Sequence, residues 1–322
     1  MKINQVLNRD EIKRLTSASD VQGTLSVATS LALIAAAFAL AARWPSILTV
    51  AAALLLLGGR QLALAVLTHE CAHRSLFASR RANEIVGTWL GALVWLPLAR
   101  YRTHHLGHHA HAGSSRDPDL GLARGFPVTA ASMSRKILRD LTGIAGIKRI
   151  AFQFLMDAGL YNYTASDYQG PDRTRRSIRQ RAALLVENFG PVLVANGLLA
   201  ALLLAFGAGW LYGLWIGAYL TTYSLFLRLR GIAEHACTDE VDDPIGHTRT
   251  TYTNLLERLT LAPHHVNYHA EHHLLPTAPH YRLAEVHRLL KERGAFEHGH
   301  IAPNYFAVLR QVTSLNIAAE RV

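Results

Sequence analysis

Pro263-His264-His265-Val266-Asn267-Tyr268-His269-Ala270-Glu271-His272-His273-Leu274-Leu275-Pro276 sets five histidines within the ten residues 264–273. Neutral imidazole is the commonest nitrogen ligand for zinc, copper, iron and nickel. On a helix His269, His272 and His273 stand three and four positions apart, so one face presents all three. Two earlier stretches repeat the pattern. One is His69-Glu70-Cys71-Ala72-His73; the other is His104-His105-Leu106-Gly107-His108-His109, again a histidine, two spacers and a histidine pair. Three such clusters point to metal, and a shared site requires a fold that brings distant segments together.

The 322 residues are half hydrophobic and 17% charged, with a mean hydropathy of +0.13. That balance is a membrane protein's rather than that of two soluble domains. Residues 23–42 carry no charge, and such a run at about 1.5 Å per residue covers the roughly 30 Å hydrocarbon core. A second apolar run, 46–67, is interrupted by Arg60-Gln61 and leaves the bilayer near Arg60. Residues 189–206 and 210–227 form another pair, separated by Gly207-Ala208-Gly209. Of the 33 Lys and Arg residues, only Arg43 lies between paired spans and only Arg60 lies within one. Basic segments stay on the cytoplasmic side, so both termini and the middle segment are expected there. All 18 histidines fall in those segments. The expected fold is therefore an all-α integral membrane protein. It is a single domain over 1–322, with four transmembrane helices in two hairpins. A cytoplasmic helical cap, residues 68–188 and 228–322, carries a histidine-rich di-metal site.

Other classes are set aside on composition. Residues 1–20 are polar and no small-residue cleavage pattern precedes Arg43, which argues against a cleaved signal. Cys71 and Cys237 lie in the inferred cytoplasmic part and should stay reduced. The net charge of +10 and pI near 9.9 follow from basic juxtamembrane segments without a nucleic-acid motif. No nucleic-acid partner is expected.

Taken in order, residues 61–67 continue the second helix without Gly or Pro and carry His69 and His73 about 10 Å beyond the bilayer. Residues 85–98 are too short to span and read as a re-entrant or interfacial helix. Asp117-Pro118-Asp119 either bonds the free ring nitrogens of ligating histidines or makes a solvated proline turn. Residues 144–161 suggest an amphipathic helix on the membrane, 167–181 an Arg-rich connector, and 283–293 a short amphipathic helix. The fourth span should run on through Glu234, His235 and Cys237, which sets His235 level with the clusters. Two cysteines cannot build a thiolate-rich zinc or iron-sulfur site, so imidazole must dominate. The histidines exceed what one ion accepts; two ions are implied, and an all-histidine site with open positions suits oxygen-activating iron.

These boxes resemble those of the membrane-bound fatty acid desaturase and hydroxylase superfamily. His69-Glu70-Cys71-Ala72-His73 is similar to its first box, His105-Leu106-Gly107-His108-His109 to its second, and His269-Ala270-Glu271-His272-His273 to its third. Asn267-Tyr268, Leu274-Leu275-Pro276 and Asp117-Pro118-Asp119 resemble the surroundings in bacterial members. The resemblance implies two irons held by His69, His73, His105, His108, His109, His235, His269, His272 and His273, with dioxygen as co-substrate. It also implies an acyl-lipid substrate and a bacterial inner-membrane location. Candidates for supporting those ligands are Glu70, Asp117, Asp119, Glu234, Asn267, Glu271, His104, His264 and His265. The extra histidines depart from the pattern: the second box can also be framed from His104. With no cytochrome b5 module, dinucleotide fingerprint or cysteine set, electrons must come from a partner, a ferredoxin with its reductase, docking on an Arg-rich face that includes Arg100, Arg102 and residues 173–181. Trp89 and Trp95 either wall an acyl tunnel or anchor an interfacial helix. Desaturation is the expected reaction, with hydroxylation and oxidative decarboxylation to a terminal alkene as runners-up. His69-Glu70-Cys71-Ala72-His73 also fits a zinc metalloprotease with Glu70 as general base, but that reading leaves the other boxes unexplained. A histidine-rich transporter would want ionisable residues lining the spans.

Overall fold

The computed structural model describes residues 1–165, 170–239, 241 and 243–314, apart from the side chains of residues 122–123. The helices in chain order are α1 (Arg9–Leu15), α2 (Asp20–Arg43), α3 (Ile47–His73), α4 (Arg80–Leu93), α5 (Leu98–His111), α6 (Leu120–Ala123), α7 (Ala130–Leu141) and α8 (Ile144–Asp157). They continue with α9 (Ile178–Ala205), α10 (Trp210–Leu220), α11 (Thr222–His235), α12 (Leu255–Leu259), α13 (His269–Leu274), α14 (His280–Glu292) and α15 (Tyr305–Thr313). Helices α2, α3 and α9 are long and apolar enough to cross a membrane. So is the pair α4–α5 if its 98° bend joins one broken span.

Helix α3 is the spine, packed by α2, α4, α5, α10 and α11. It starts at a Ser46 cap that accepts from Thr49 N and runs unbroken to His73, delivering the first box in its last turn. Arg60 does not interrupt it. Its guanidinium is buried and donates to the carbonyls of Arg258 (3.1 Å) and Leu259 (2.8 Å), while Gln61 Nε2 donates to the Trp215 carbonyl (2.8 Å). Carbonyl oxygens thus satisfy donors that would otherwise be costly to bury. Around this helix Leu57, Leu62, Leu64, Leu67 and Trp215 form the main apolar core.

The segment expected to be re-entrant or interfacial is a helix, a sharp turn and a second helix. Leu96 N donates to the Gly91 carbonyl (2.8 Å), Trp95 adopts φ 60°, and a side chain at Gly91 would collide with the Leu96 carbonyl. Pro97 then opens α5, which carries the second box.

Three expectations need correction. Helix α9 begins at Ile178, not 189, because Ser177 and Gln180 form a reciprocal cap inside the Arg-rich connector; of that connector, residues 167–169 lie outside the described residues. The run 210–227 is not one helix. It breaks at Thr221 (φ −110°, ψ −84°), where Thr221 Oγ1 donates to the Gly217 carbonyl and Thr222 Oγ1 to the Leu54 carbonyl (both 2.6 Å). Gly146 of α8 packs into this break: a Cβ there would meet the Leu220 carbonyl at 2.5 Å. Nor is the chain all-α. Strands β1 (Arg249–Thr251) and β2 (His300–Ala302) pair in parallel, Thr250 opposite Ile301. Thr250 also bridges Tyr268, beside the third box.

The contact between α3 and α12 generates a stability prediction. A side chain at Gly59 would strike the Leu259 carbonyl and the Thr260 Cα, so Gly59→Val should cost about 1–3 kcal/mol. A Cβ at Gly197 on α9 meets nothing within 4 Å, so Gly197→Val should leave the melting temperature in detergent near the parent's.

Candidate metal centre

Four helices converge on one point. His69 and His73 close α3, His105, His108 and His109 share α5, His235 ends α11, and His269, His272 and His273 come from α13. Their ring nitrogens form two groups, each within 4.8 Å: His69, His73, His105, His109 and His272, and then His108, His235, His269 and His273. Helical spacing does the sorting. His105 and His109, one turn apart, enter the first group, while His108 turns to the second; α13 sends His272 one way and His269 with His273 the other. All nine rings named from the boxes and from the α11 extension are therefore brought together.

The donor chemistry fits a cation. His105 Nε2 faces His73 Nε2 at 2.9 Å and His109 Nε2 at 3.1 Å, and His109 Nε2 faces His272 Nε2 at 3.0 Å. In the second group His269 Nε2 faces His235 Nε2 at 2.9 Å, and His108 Nε2 faces His273 Nε2 at 3.3 Å. A neutral imidazole carries one hydrogen, so these contacts cannot all be satisfied as hydrogen bonds. Both nitrogens of buried His69 and Nδ1 of His272 lack a hydrogen-bond partner. Burial, reinforced by the neighbouring histidines, pushes His269, His272, His273 and His235 well below the usual imidazole range. They are neutral at pH 7, the form a metal requires.

Carboxylates stand behind several rings. Asp117 Oδ1 accepts from His108 Nδ1 at 2.8 Å, which sets the tautomer that turns Nε2 inward. Asp119 pairs with His104 (2.8 Å) and lies 3.8 Å from His108. Thus the proline turn bonds histidine rings instead of facing solvent, and His104 sits outside both groups. Glu234 lies 3.5 Å from His269 Nδ1 and is gripped by Arg230 at 2.5 Å. Glu70 lies 3.4 Å from His69 Nδ1, while its other oxygen accepts from Ser75 Oγ (3.0 Å) and His280 N (2.8 Å).

The remaining candidates serve the scaffold. Glu271 accepts from Thr250 Oγ1 and pairs with His287 Nδ1, both at 2.5 Å, and Asn267 Nδ2 donates to the Thr251 carbonyl (3.0 Å); they brace α13 against β1 and α14. His264 pairs with Ser30 Oγ at 2.8 Å, and the His264 and His265 rings lie 4.9 and 6.4 Å from His280, apart from both groups. Arg100 is held by Asp157 (2.7 Å), and Arg102 by the Cys71 and Ala72 carbonyls (3.0 Å each) and Glu84 (3.0 Å). These two arginines are structural ties and not free docking charges.

Sequence reasoning passed over Tyr101, which stacks on His105 at 5.3 Å, and Arg230, whose i,i+4 spacing to Glu234 was visible in the sequence. It also passed over His247, whose ring lies 5.5 Å from His273 and whose buried Nε2 has no hydrogen-bond partner. No box surrounds His247, so nothing in the sequence marked it. A cavity of about 460 Å³ reaches His105, His108, His235 and His269, with Trp95 on its wall. Trp89 is 45% exposed and is not among the described residues that line it.

A family model described as fatty acid desaturase matches residues 27–304, a span that contains both histidine groups. The chain belongs to the fatty acid desaturase family. It is accordingly an oxidoreductase of the membrane desaturase superfamily. Dihydrorhizobitoxine desaturase of Bradyrhizobium elkanii is 28% identical over 283 residues, covering 84% of this chain and 75% of the relative. Acyl-lipid (9+3)-(E)-desaturase of Dimorphotheca sinuata is 24% identical over 76% of this chain and 68% of its own length. A fatty acid desaturase of Bacillus subtilis (strain 168) is 25% identical over 69% and 62%. Family membership leaves the protease reading without support, and the five-ring group around His69 and His73 exceeds what a single zinc would use.

The carboxylates behind the rings can be tested without substrate. Asp117→Ala frees His108 to turn, and metal titration should show about 10–100-fold weaker binding with the helical content unchanged.

Proposed function

We propose that this desaturase-family protein carries out the oxygen-dependent desaturation of a long-chain acyl lipid at a di-iron centre. The observation that carries the reading is the convergence of nine histidine rings in two groups within a chain of this family. His69, His73, His105, His109 and His272 would hold one iron, and His108, His235, His269 and His273 the other. When bound, such a pair supplies the redox chemistry by which dioxygen and two electrons remove hydrogen from an unactivated carbon chain.

The protein's own part is positioning and exclusion. Burial holds every one of the nine rings but His108 toward its neutral form, Asp117 and Glu234 fix ring orientation, and the cavity lets an apolar chain approach His105, His108, His235 and His269. The whole chain, 1–322, acts as a single domain. α10 with the first part of α11 serves as a fourth span beside α2, α3 and α9, and α4–α5 dips into the membrane from the histidine side. The concentration of Lys and Arg outside the spans favours a cytoplasmic cap in a bacterial inner membrane. Electrons come from an external donor, a ferredoxin with its reductase. The names of the relatives, desaturases and a conjugase, favour desaturation over hydroxylation or decarboxylation.

Elemental analysis of the purified protein should find about two irons per chain, as two histidine groups imply. His272→Ala should lose metal and activity together. Lipidomics of a host expressing each protein should show new double bonds with the parent alone. One zinc and no iron would overturn the reading, and an oxygenated chain or one a carbon shorter would replace desaturation with hydroxylation or decarboxylation.

A further inference from the structure

The cavity that reaches the histidines is lined on another side by one face of α8, with Lys148, Arg149, Phe152 and Met156 at helical spacing. Charges there do not balance. Arg228 is held by Asp140 through contacts of 2.5 and 2.9 Å, and Arg230 by Glu234 at 2.5 Å. Among the described residues, neither Lys148 nor Arg149 has such a carboxylate partner. Arg149 uses Nη2 on the Tyr219 carbonyl (3.1 Å) and Ser224 Oγ (2.8 Å). Its guanidinium lies over the Tyr219 and Tyr223 rings at 4.8 and 4.9 Å, and its Nη1, unlike the fully enclosed Nε, is open and makes no hydrogen bond among the described residues. A guanidinium fixed on aromatic faces with an unused donor suits an anionic oxygen, and an uncompensated lysine beside it adds to the attraction.

The same helix that anchors Arg149 also carries a metal-group histidine. Ser224 and His235 lie eleven residues apart on unbroken α11, about 16 Å at its rise per residue. An all-trans chain advances about 1.2 Å per bond, so this length corresponds to roughly a dozen bonds.

We propose that Arg149 and Lys148 bind the anionic end group of the substrate chain, a carboxylate or a phosphoester, and that α11 sets the distance from that group to the carbon that reacts. This rests on the desaturase reading above and adds a substrate class to it: a long chain with a charged end, oxidised at a position counted from that end.

Binding to the full-length protein in lipid nanodiscs, with radiolabelled palmitate, methyl palmitate and dipalmitoyl phosphatidate, tests the end-group site without turnover. Arg149→Gln and Lys148→Gln should each weaken the anionic ligand about tenfold or more and leave methyl palmitate unchanged, with partial recovery in Arg149→Lys. Preference for palmitate assigns a carboxylate and preference for phosphatidate a phosphoester. Should Arg149→Gln fail to fold, the exposed Lys148 carries the test alone. Unchanged affinities would overturn the proposal and make the pair an anchor of α8 to membrane phosphates; equal loss of acid and ester would make it structural. Where turnover is available, chains of different length should be oxidised at a constant distance from the charged end. A position constant from the methyl end would overturn the ruler. An inactive protein that still binds with charge selectivity would sink the desaturase reading and leave the end-group site standing.

Discussion

Buried lone pairs are what the rest of the structure must accommodate. Five ring nitrogens in one group and four in the other point at one another across distances suited to a shared cation, with six of the nine rings buried. Without a cation such an arrangement is a cluster of unmade hydrogen bonds, each costing about 1–3 kcal/mol. The architecture reads as the means of holding it. α3, α5, α11 and α13 each deliver rings to it, and the ends of α3, α11 and α13 are tied by residues outside the nine rings. Arg102 caps the last turn of α3 through its carbonyls, Arg230 and Glu234 stiffen the end of α11, and Glu271 locks α13 to β1 and α14.

The apolar spans do a different job from the site. Their core, around Leu57, Leu62, Leu67 and Trp215, fixes where α3 stands, and the buried Arg60 turns a charge within that helix into a clamp on the carbonyls before the third box. A guanidinium suits this task because its fixed fork reaches two carbonyls at once. The membrane-facing part and the metal-facing part of the protein are thus joined through one continuous helix.

Much of the site was legible in the sequence because imidazole ligation imposes spacing. Rings one helical turn apart, repeated in three places, announce a shared centre without any structure, and the uninterrupted run past Arg60 placed His69 and His73 at a helix end. Other features left no such trace. The break at Thr221 depends on where threonine hydroxyls find carbonyls in three dimensions, and β1–β2 on the meeting of two triplets far apart in sequence, whereas the start of α9 was written in the Ser177-x-x-Gln180 cap and passed over among the arginines. Arg149 and His247 matter through what surrounds them, and nothing at neighbouring positions marks either one. Arg100 and Arg102 show the converse: basic residues that look like a docking surface in one dimension are internal ties in three.

The parallel pairing of Arg249–Thr251 with His300–Ala302 bears on biosynthesis. Thr250 holds Glu271, and its strand finds its partner only when Ile301 exists, so this brace of the third box is completed only after residues 300–302 have been made. The long apolar helices α2, α3 and α9 all precede it in the chain. A nascent chain halted before Ala302 would therefore carry all nine rings with the strand support of α13 incomplete.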